Sequence, residues 1–201
     1  MPLLDLPNGY YQLPAGRMAN VVTCFEMRAK PSRPLKRLPE GASLVRFAPD
    51  DLAAFRSVFR AVGENFLWFS RLIMSDKSLA GILADPAVVS SVLRLGGLEA
   101  GLLELDFREP DQCELSFFGL VPGAIGTGLG RALMDEAIAM AWARPIARFW
   151  VHTCTFDAPE AVPFYLRSGF TAYARMVEIH DDPRLQGKLA VTASPQVPLI
   201  R

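Results

Sequence analysis

Apolar and polar residues alternate in several short stretches of the chain, a period of two that is typical of strands. The first such stretch is residues 19–28, in which Val21, Thr23, Phe25 and Met27 are in phase. The predicted strands are residues 19–28, 43–47, 88–95, 98–107, 112–121, 147–155 and 170–180.

Other stretches repeat their apolar residues every three or four positions, which is typical of amphipathic helices. One follows Asp51 and ends at Gly63, and the next follows Ser75 and ends before Pro86. Asp and Ser are frequent helix N-caps, and glycine or proline commonly ends a helix. The two remaining predicted helices are residues 128–143 and 159–167.

The order of these elements predicts an α+β fold. Gly96-Gly97 joins two strands as a tight hairpin, so the first part of the sheet is antiparallel. The helix at residues 128–143 lies between two strands, and such a crossover requires a parallel pair. We therefore expect a mixed, mostly antiparallel twisted sheet with flanking helices and a parallel central pair, whose strands end at Val121 and Thr155.

The chain divides into three predicted parts. Residues 1–39 are a strand-like N-terminal extension with a proline-rich basic connector, residues 40–180 are the domain, and residues 181–201 are an irregular tail. The connector, residues 30–39, is predicted to be a solvated loop, with phosphate binding as the less favoured alternative.

Charge and cysteine content exclude several classes of protein. Lys and Arg together number 21, and so do Asp and Glu, which gives a net charge of zero. The chain therefore has no excess positive charge that would attract nucleic acid or an anionic membrane. The sequence shows no membrane-spanning apolar run and no secretory signal. Three scattered cysteines, Cys24, Cys113 and Cys154, suit a reducing cytosol. We expect a cytoplasmic protein without nucleic-acid or membrane partners.

Gly126, Gly128 and Gly130 lie directly between a predicted strand and a predicted helix. Without Cβ atoms, the N–H groups of this turn can approach a ligand, and the helix dipole favours an anion, so the turn indicates a phosphate site. A plain tight turn is the alternative. Arg131-Ala132 after Gly130 excludes a P-loop, and Arg131 occupies the sixth position that a dinucleotide-binding turn reserves for glycine.

This turn resembles the pyrophosphate signature of the GNAT N-acetyltransferase superfamily, Arg/Gln-x-x-Gly-x-Gly/Ala. Residues 125–130 match at Gly128 and Gly130, but Ile125 stands where Arg or Gln is usual. A second family signature, Phe-Tyr-x-x-x-Gly-Phe, matches residues 164–170. Ala158 stands where an Asn is usual, and the adjacent Asp157 is the candidate for its polar role. The family's order of strands and helices matches residues 43–180.

The resemblance implies that the parallel pair splays apart and holds acetyl-coenzyme A (acetyl-CoA) as a co-substrate, with no metal. Main-chain groups of Phe118, Leu120 and Val121 would bind the pantetheine arm, and the N–H of Leu120 would face the thioester carbonyl. The remaining implied contacts are Ile125, Gly126, Thr127, Gly128, Leu129, Gly130, Arg131 and Asp157.

Two predicted catalytic residues complete this hypothesis of direct acetyl transfer to a primary amine. Tyr165 is the expected general acid, because a phenol stays protonated at neutral pH; the alternative is a packed tyrosine. Glu114 is the first candidate base, on a strand face predicted to include Ser116 and Phe118; the alternative is a carboxylate on a solvated strand face. The other candidates are His152, Glu64 and Glu104. A Cys154–His152 nucleophile is disfavoured, since direct transfer needs none.

The acceptor is expected against residues 64–74, as in the family. Phe66, Trp68 and Phe69 suggest an aromatic or apolar acceptor, or else core packing, and Arg71 is a candidate for binding a substrate carboxylate. Two alternatives from other classes stay open. In the first alternative, the chain is a sensor that binds the coenzyme without catalysis. In the second, residues 19–28 form an interaction strand that extends the sheet or joins two subunits of a homodimer.

Overall fold

The computed structural model describes Asp5 and residues 7–201, and its helices and strands lie within a few residues of the predicted ones. The strands are β1 (Arg17–Met27), β2 (Ala42–Arg46), β3 (Val88–Leu95), β4 (Leu98–Asp106), β5 (Gln112–Leu120), β6 (Arg148–Cys154) and β7 (Thr171–Asp181). The helices are α1 (Leu52–Gly63), α2 (Asp76–Ala84), α3 (Leu129–Ala141) and α4 (Ala161–Ser168), with 3₁₀ turns at Glu64–Phe66 and Pro122–Ala124.

All the strands form one sheet in the order β2-β3-β4-β5-β6-β1-β7. Every neighbouring pair is antiparallel except β5 and β6, which are parallel as the crossover through α3 requires. The predicted mixed α+β fold is confirmed.

The N-terminal strand β1 is an interior strand of this sheet. It pairs with β6 on one side and with β7 on the other, within the same chain. The predicted phase of β1 is right for Phe25 and Met27, which are buried, and fails at Val21, which is 43% exposed. Val22 and Cys24, on the opposite face of β1, are buried as well. The division of the chain into three parts stays a prediction.

The parallel pair β5–β6 is short. Its paired residues are Gln112 with Arg148, Cys113 with Phe149 and Glu114 with Trp150, and within the part of the chain that the structure describes the ladder extends no further. Beyond these pairs the two strands continue to Leu120 and Cys154 without bonding to each other. A gap therefore opens inside the sheet.

A β-bulge in β5 contradicts the predicted face of Glu114. Across β4, Asp106 pairs with Glu114 and Glu104 pairs with Phe117, with a register shift between the two pairs. Because Glu104 and Asp106 share a face of β4, Glu114 shares its face with Phe117, and not with Phe118. The extra residue, Ser116, reverses the alternation, as a bulge does.

Two apolar clusters lie on the two faces of the sheet. On one face, α3 and α4 pack against Phe25, Leu115 and Phe149, all nearly inaccessible. On the other face, α1 and α2 bury Phe55 and Phe59 against β3 and β4. Both sides of the β5–β6 gap are thus bordered by helices.

The tail after β7 is irregular, as predicted, but it is well packed. Arg184 and Asp182 form a buried ion pair at 2.7 Å, and the Arg184 guanidinium also donates to the carbonyl oxygen of Val197. Ser194 donates to the carbonyl oxygen of Asn65, which follows α1. The tail therefore supports the segment between α1 and α2.

No helix in the described residues is both long and apolar enough to cross a membrane.

Since β1 lies inside the sheet, we expect its core residues to contribute strongly to stability. Phe25 is fully buried, with its ring centroid 5.7 Å from that of Tyr165. Phe25→Ala should lower the free energy of unfolding by about 3–5 kcal/mol in urea denaturation. The exposed neighbour Val21→Ala is the control and should change it by less than about 0.5 kcal/mol. Equal effects of the two changes would contradict the interior placement of β1.

Candidate active site

The gap between β5 and β6 opens into a cleft of about 450 Å³ that runs past both faces of the sheet. Its walls come from both strands, from the segment after α1, from the loop after β6 and from α4. Predicted site residues that line it are Phe118, Leu120, Ile125, Gly130, His152, Asp157 and Tyr165. The cleft is therefore the place where the two sequence motifs meet.

The edge of β5 presents main-chain groups to this cleft. Val121 donates its N–H to the carbonyl oxygen of Ala100 in β4, at 3.0 Å. Successive N–H groups of an extended chain point to opposite sides, so the N–H of Leu120 points away from β4 and into the gap. The predicted role of Leu120 is geometrically available. Val121 was predicted beside it, but its N–H faces β4 and it lies outside the lining of the cleft.

The glycine-rich turn lies at the mouth of the cleft. Gly126 and Gly128 have φ of +81° and +83°, values that favour glycine, and a Cβ on Gly126 would meet no atom within 4 Å. The Thr127 hydroxyl donates to the carbonyl oxygen of Ala124 and stabilises the turn.

Several N–H groups of this turn have no protein acceptor. Among the described residues no hydrogen bond is made by the main-chain N–H groups of Gly126, Thr127, Gly128, Gly130 and Arg131. The N–H of Leu129 contacts the Thr127 hydroxyl at 3.4 Å. Free N–H groups at the start of a helix form a concave anion site, so the turn can hold a phosphate through its main chain.

Tyr165 lies on α4, and its side chain reaches into the core beside the cleft. Its ring is packed against Phe25 and Phe170, with centroids 5.7 Å and 5.9 Å away. Burial, with the nearby Asp157 carboxylate, raises the pKa of Tyr165 above its ordinary value. Its hydroxyl therefore stays protonated at neutral pH and can act as a hydrogen-bond donor.

Glu114 and His152 lie together on the α1/α2 face of the sheet. The His152 Nδ1 atom lies 3.7 Å from the Glu114 Oε1 atom. Burial, with the negative charge of Asp106, raises the pKa of Glu114 to about 7. Glu114 faces a neighbouring cavity of about 390 Å³, and His152 lines the main cleft. Glu114 can therefore take up a proton close to neutral pH.

The other candidate bases are occupied elsewhere. Glu104 is fully buried and pairs with Arg71 at 2.5 Å. The Arg71 guanidinium is thus neutralised inside the protein, so it does not serve as the predicted carboxylate-binding group. The Glu64 Oε1 atom lies 3.7 Å from the Nη1 atom of Arg60, at the C-terminal end of α1.

Asp157 connects the end of β6 to the segment after α1. Its carboxylate accepts hydrogen bonds from the Thr153 hydroxyl at 2.6 Å, the Cys154 N–H at 2.9 Å and the Trp68 indole N–H at 3.1 Å. Three donors on one carboxylate fix the Trp68 ring against the cleft. The sequence predicts a contact of Asp157 with the coenzyme, but it carries no local signal for the hydrogen bond from Trp68.

The acceptor side of the cleft is aromatic. Phe66, Trp68 and Phe69 all line it, and the Trp68 ring also packs on Phe117 with centroids 5.3 Å apart. These aromatic residues therefore line the cleft and also belong to the packed interior of the protein.

Burial raises the pKa of Cys154 to about 11, so its thiol stays protonated and is a poor nucleophile.

Residues from the first and last strands also line the cleft, which the sequence analysis did not predict. Asn20 in β1 donates to the Glu178 carboxylate in β7 at 2.8 Å, and His180 lies beside them. The available sequence signal is polar Asn20, which stands two residues from Met18 and from Val22 and so shares their buried face of β1.

Residues 53–170 match the acetyltransferase (GNAT) family. The fold is similar to that of a GCN5-related N-acetyltransferase from Sphaerobacter thermophilus, with a TM-score of 0.62 and 16% identity over 83% of this chain and 53% of that one. A GCN5-related N-acetyltransferase from Kribbella flavida has a TM-score of 0.56 and 16% identity, over 86% of this chain and 63% of that one.

An aminoglycoside acetyltransferase from an uncultured soil metagenomic sample, in complex with sisomicin, has a TM-score of 0.56 and 17% identity over 69% of this chain and 93% of that one. At such identities the likeness shows a common fold. The chain spans about half of the Sphaerobacter protein. No curated protein matches it in sequence.

The raised pKa of Glu114 has a consequence for stability that is independent of activity. Between its ordinary value of 4.5 and about 7, the unfolded chain has released this proton and the folded chain has not. Stability is therefore lost as the pH rises through this window, and Glu114→Gln should remove the loss. The advantage of Glu114→Gln over wild type should grow by about 2–3 kcal/mol from pH 4.5 to pH 8.

Urea denaturation at several pH values measures this difference. Glu99→Gln, which replaces an exposed carboxylate on β4, is the matched control and should show no such trend. A difference between Glu114→Gln and wild type that stays constant with pH would refute the assignment.

Proposed function

This chain belongs to the acetyltransferase (GNAT) family, and we propose that it transfers the acetyl group of acetyl-CoA directly to a primary amine of a small molecule or protein. The resemblance drawn from the two sequence motifs is thereby confirmed as to family. The observation that carries the proposal is the interrupted β5–β6 ladder, which opens beside a turn with unpaired N–H groups.

The residues around the gap fit the coenzyme. The N–H groups from Gly126 to Arg131 suit a diphosphate, and the free edge of β5 at Phe118 and Leu120 suits the amides of a pantetheine arm. When bound, the coenzyme supplies an activated acetyl thioester. Ile125, Thr127 and Leu129 contribute the shape of the turn, and Ile125 replaces a polar contact that other family members have.

Glu114 and His152 remove a proton from the ammonium group of the acceptor. An amine attacks a carbonyl only as the free base, and a carboxylate with a pKa of about 7 accepts protons at physiological pH. His152 lines the cleft and Glu114 lies behind it, so the proton passes to Glu114 through His152 or a water molecule. The N–H of Leu120 stabilises the developing oxyanion, a contribution typically of about 2.7–4 kcal/mol.

Tyr165 has the task of stabilising the departing thiolate. The pKa of a tyrosine, ordinarily about 10, already exceeds that of a free thiol, and burial raises it further, so the Tyr165 hydroxyl is a hydrogen-bond donor to the sulfur at neutral pH. Asp157 holds Trp68 and the end of β6 in place, which is a positioning role.

We also propose which acyl group and which class of amine the protein uses, and where in the cell it acts. The acyl group is acetyl, and the acceptor is an amine with an apolar or aromatic part that packs on Trp68 and Phe69. We further propose a cytoplasmic protein that acts without a metal, nucleic acid or a membrane, and that can form a homodimer.

The direct test mixes purified protein with acetyl-CoA and a panel of amines that includes aromatic amines, a lysine peptide and sisomicin. A thiol dye measures release of the coenzyme, and mass spectrometry measures a gain of one acetyl group on the amine. Amine-dependent release with acetylated product supports the proposal. Tight coenzyme binding without turnover on any amine would favour a sensor, and no binding at all would refute both.

Removing the Tyr165 hydroxyl tests its role separately from binding. Tyr165→Phe should lower kcat by about 100-fold and change the Kd for acetyl-CoA by less than about twofold. Tyr173→Phe, a half-exposed tyrosine on β7 outside the cleft, is the matched control and should retain full activity. An unchanged kcat in Tyr165→Phe would exclude Tyr165 from the chemistry.

A further inference from the structure

The connector, residues 30–39, is docked on α3 and is not a free solvated loop. The Arg33 guanidinium donates to both carboxylate oxygens of Asp135, at 2.9 Å and 2.5 Å. The main-chain N–H of Lys36 donates to Asp135 at 2.8 Å, and Leu35 and Leu38 pack against the core. The connector lies outside the family match at residues 53–170.

Asp135 is the centre of this attachment. Its side chain is 1% exposed, and the Arg131 guanidinium lies 3.3 Å away on the preceding turn of α3. Burial alone would raise the pKa of Asp135, but the hydrogen bonds from Arg33 and from the Lys36 N–H lower it below its ordinary value. The carboxylate is therefore ionised, and a buried carboxylate that lost these partners would be strongly destabilising.

The attachment brings the Lys36 side chain to the glycine-rich turn. The Lys36 ammonium lies 3.8 Å from the position that a Cβ on Gly128 would occupy. Gly128 is the N-cap of α3 and adjoins the unpaired N–H groups. Lys36 itself is exposed, and no carboxylate in the described residues pairs with its ammonium. The Lys36 ammonium thus lies beside the unpaired N–H groups of the glycine-rich turn and has no carboxylate partner among the described residues.

We propose that Lys36 completes the phosphate site by contacting the diphosphate of the coenzyme, and that Arg33 and Asp135 are positioning residues that hold Lys36 there. This inference rests on the proposed function. It accounts for a neutral protein that binds a polyanion, since a positive charge is placed locally where the chain as a whole has no excess. It also compensates for Ile125, which lacks the polar side chain usual at its position.

Calorimetric titration of Lys36→Gln with coenzyme A, its dephospho form and pantetheine tests the contact. We expect the Kd for coenzyme A to rise about tenfold, as for loss of a charged hydrogen bond. The same rise is expected with the dephospho form, which keeps the diphosphate, and no change with pantetheine, which has none. Lys30→Gln, an exposed lysine at the start of the connector, should bind all three as wild type does.

The outcomes separate this inference from the proposed function. If wild type binds no coenzyme, the proposed function fails. If wild type binds and Lys36→Gln binds equally well, only the role of Lys36 is overturned. A loss confined to coenzyme A and absent with the dephospho form would overturn the assignment to the diphosphate.

A double-mutant cycle tests the positioning role. Arg33→Gln should weaken coenzyme A binding and leave pantetheine binding unchanged, and it should have no further effect in the Lys36→Gln background. Because Asp135 stays buried in Arg33→Gln, this variant should have a lower urea midpoint than wild type, and circular dichroism at the assay temperature checks that each variant is still folded. Additive effects of the two changes would overturn the proposal that Arg33 acts through Lys36.

Discussion

β5 and β6 pair through three residue pairs and then separate, although both strands continue. Main-chain N–H and C=O groups inside a protein need partners, so an interruption in the middle of a sheet is costly unless a ligand supplies them. The glycine-rich turn follows β5 after one 3₁₀ turn, and its unpaired N–H groups likewise need partners at the mouth of the cleft. An extended ligand with amides along its length and phosphates at one end would satisfy both.

The rest of the structure keeps this gap open and shapes it. The bulge at Ser116 turns Phe118 toward α4, where it stacks on Phe164 with centroids 5.6 Å apart. Asp157 ties the end of β6 to Trp68 across the cleft. β1 pairs along the far edge of β6, so β6 keeps one full set of partners while its other edge is free. Unpaired main-chain groups of β5 and of the glycine-rich turn thus border the cleft where catalysis is proposed.

Local signals made most of the elements predictable from sequence. The caps Asp51 and Ser75 accept hydrogen bonds from Ala54 and Ser78 as expected, and Gly96-Gly97 forms the hairpin. Features that depend on contacts between distant segments were not predictable. The bulge reversed the face of Glu114, because alternation along one strand carries no information about its register with the next. The interior position of β1 and the pairing of Arg71 with Glu104 depend likewise on tertiary contacts.

Amide hydrogen exchange with and without acetyl-CoA tests the central claim most directly. If the coenzyme fills the gap, exchange should slow at residues 118–120 and 126–131, and β2 and β3 at the far end of the sheet should exchange as before. Slower exchange elsewhere, with no protection at β5 or at the glycine-rich turn, would contradict the account.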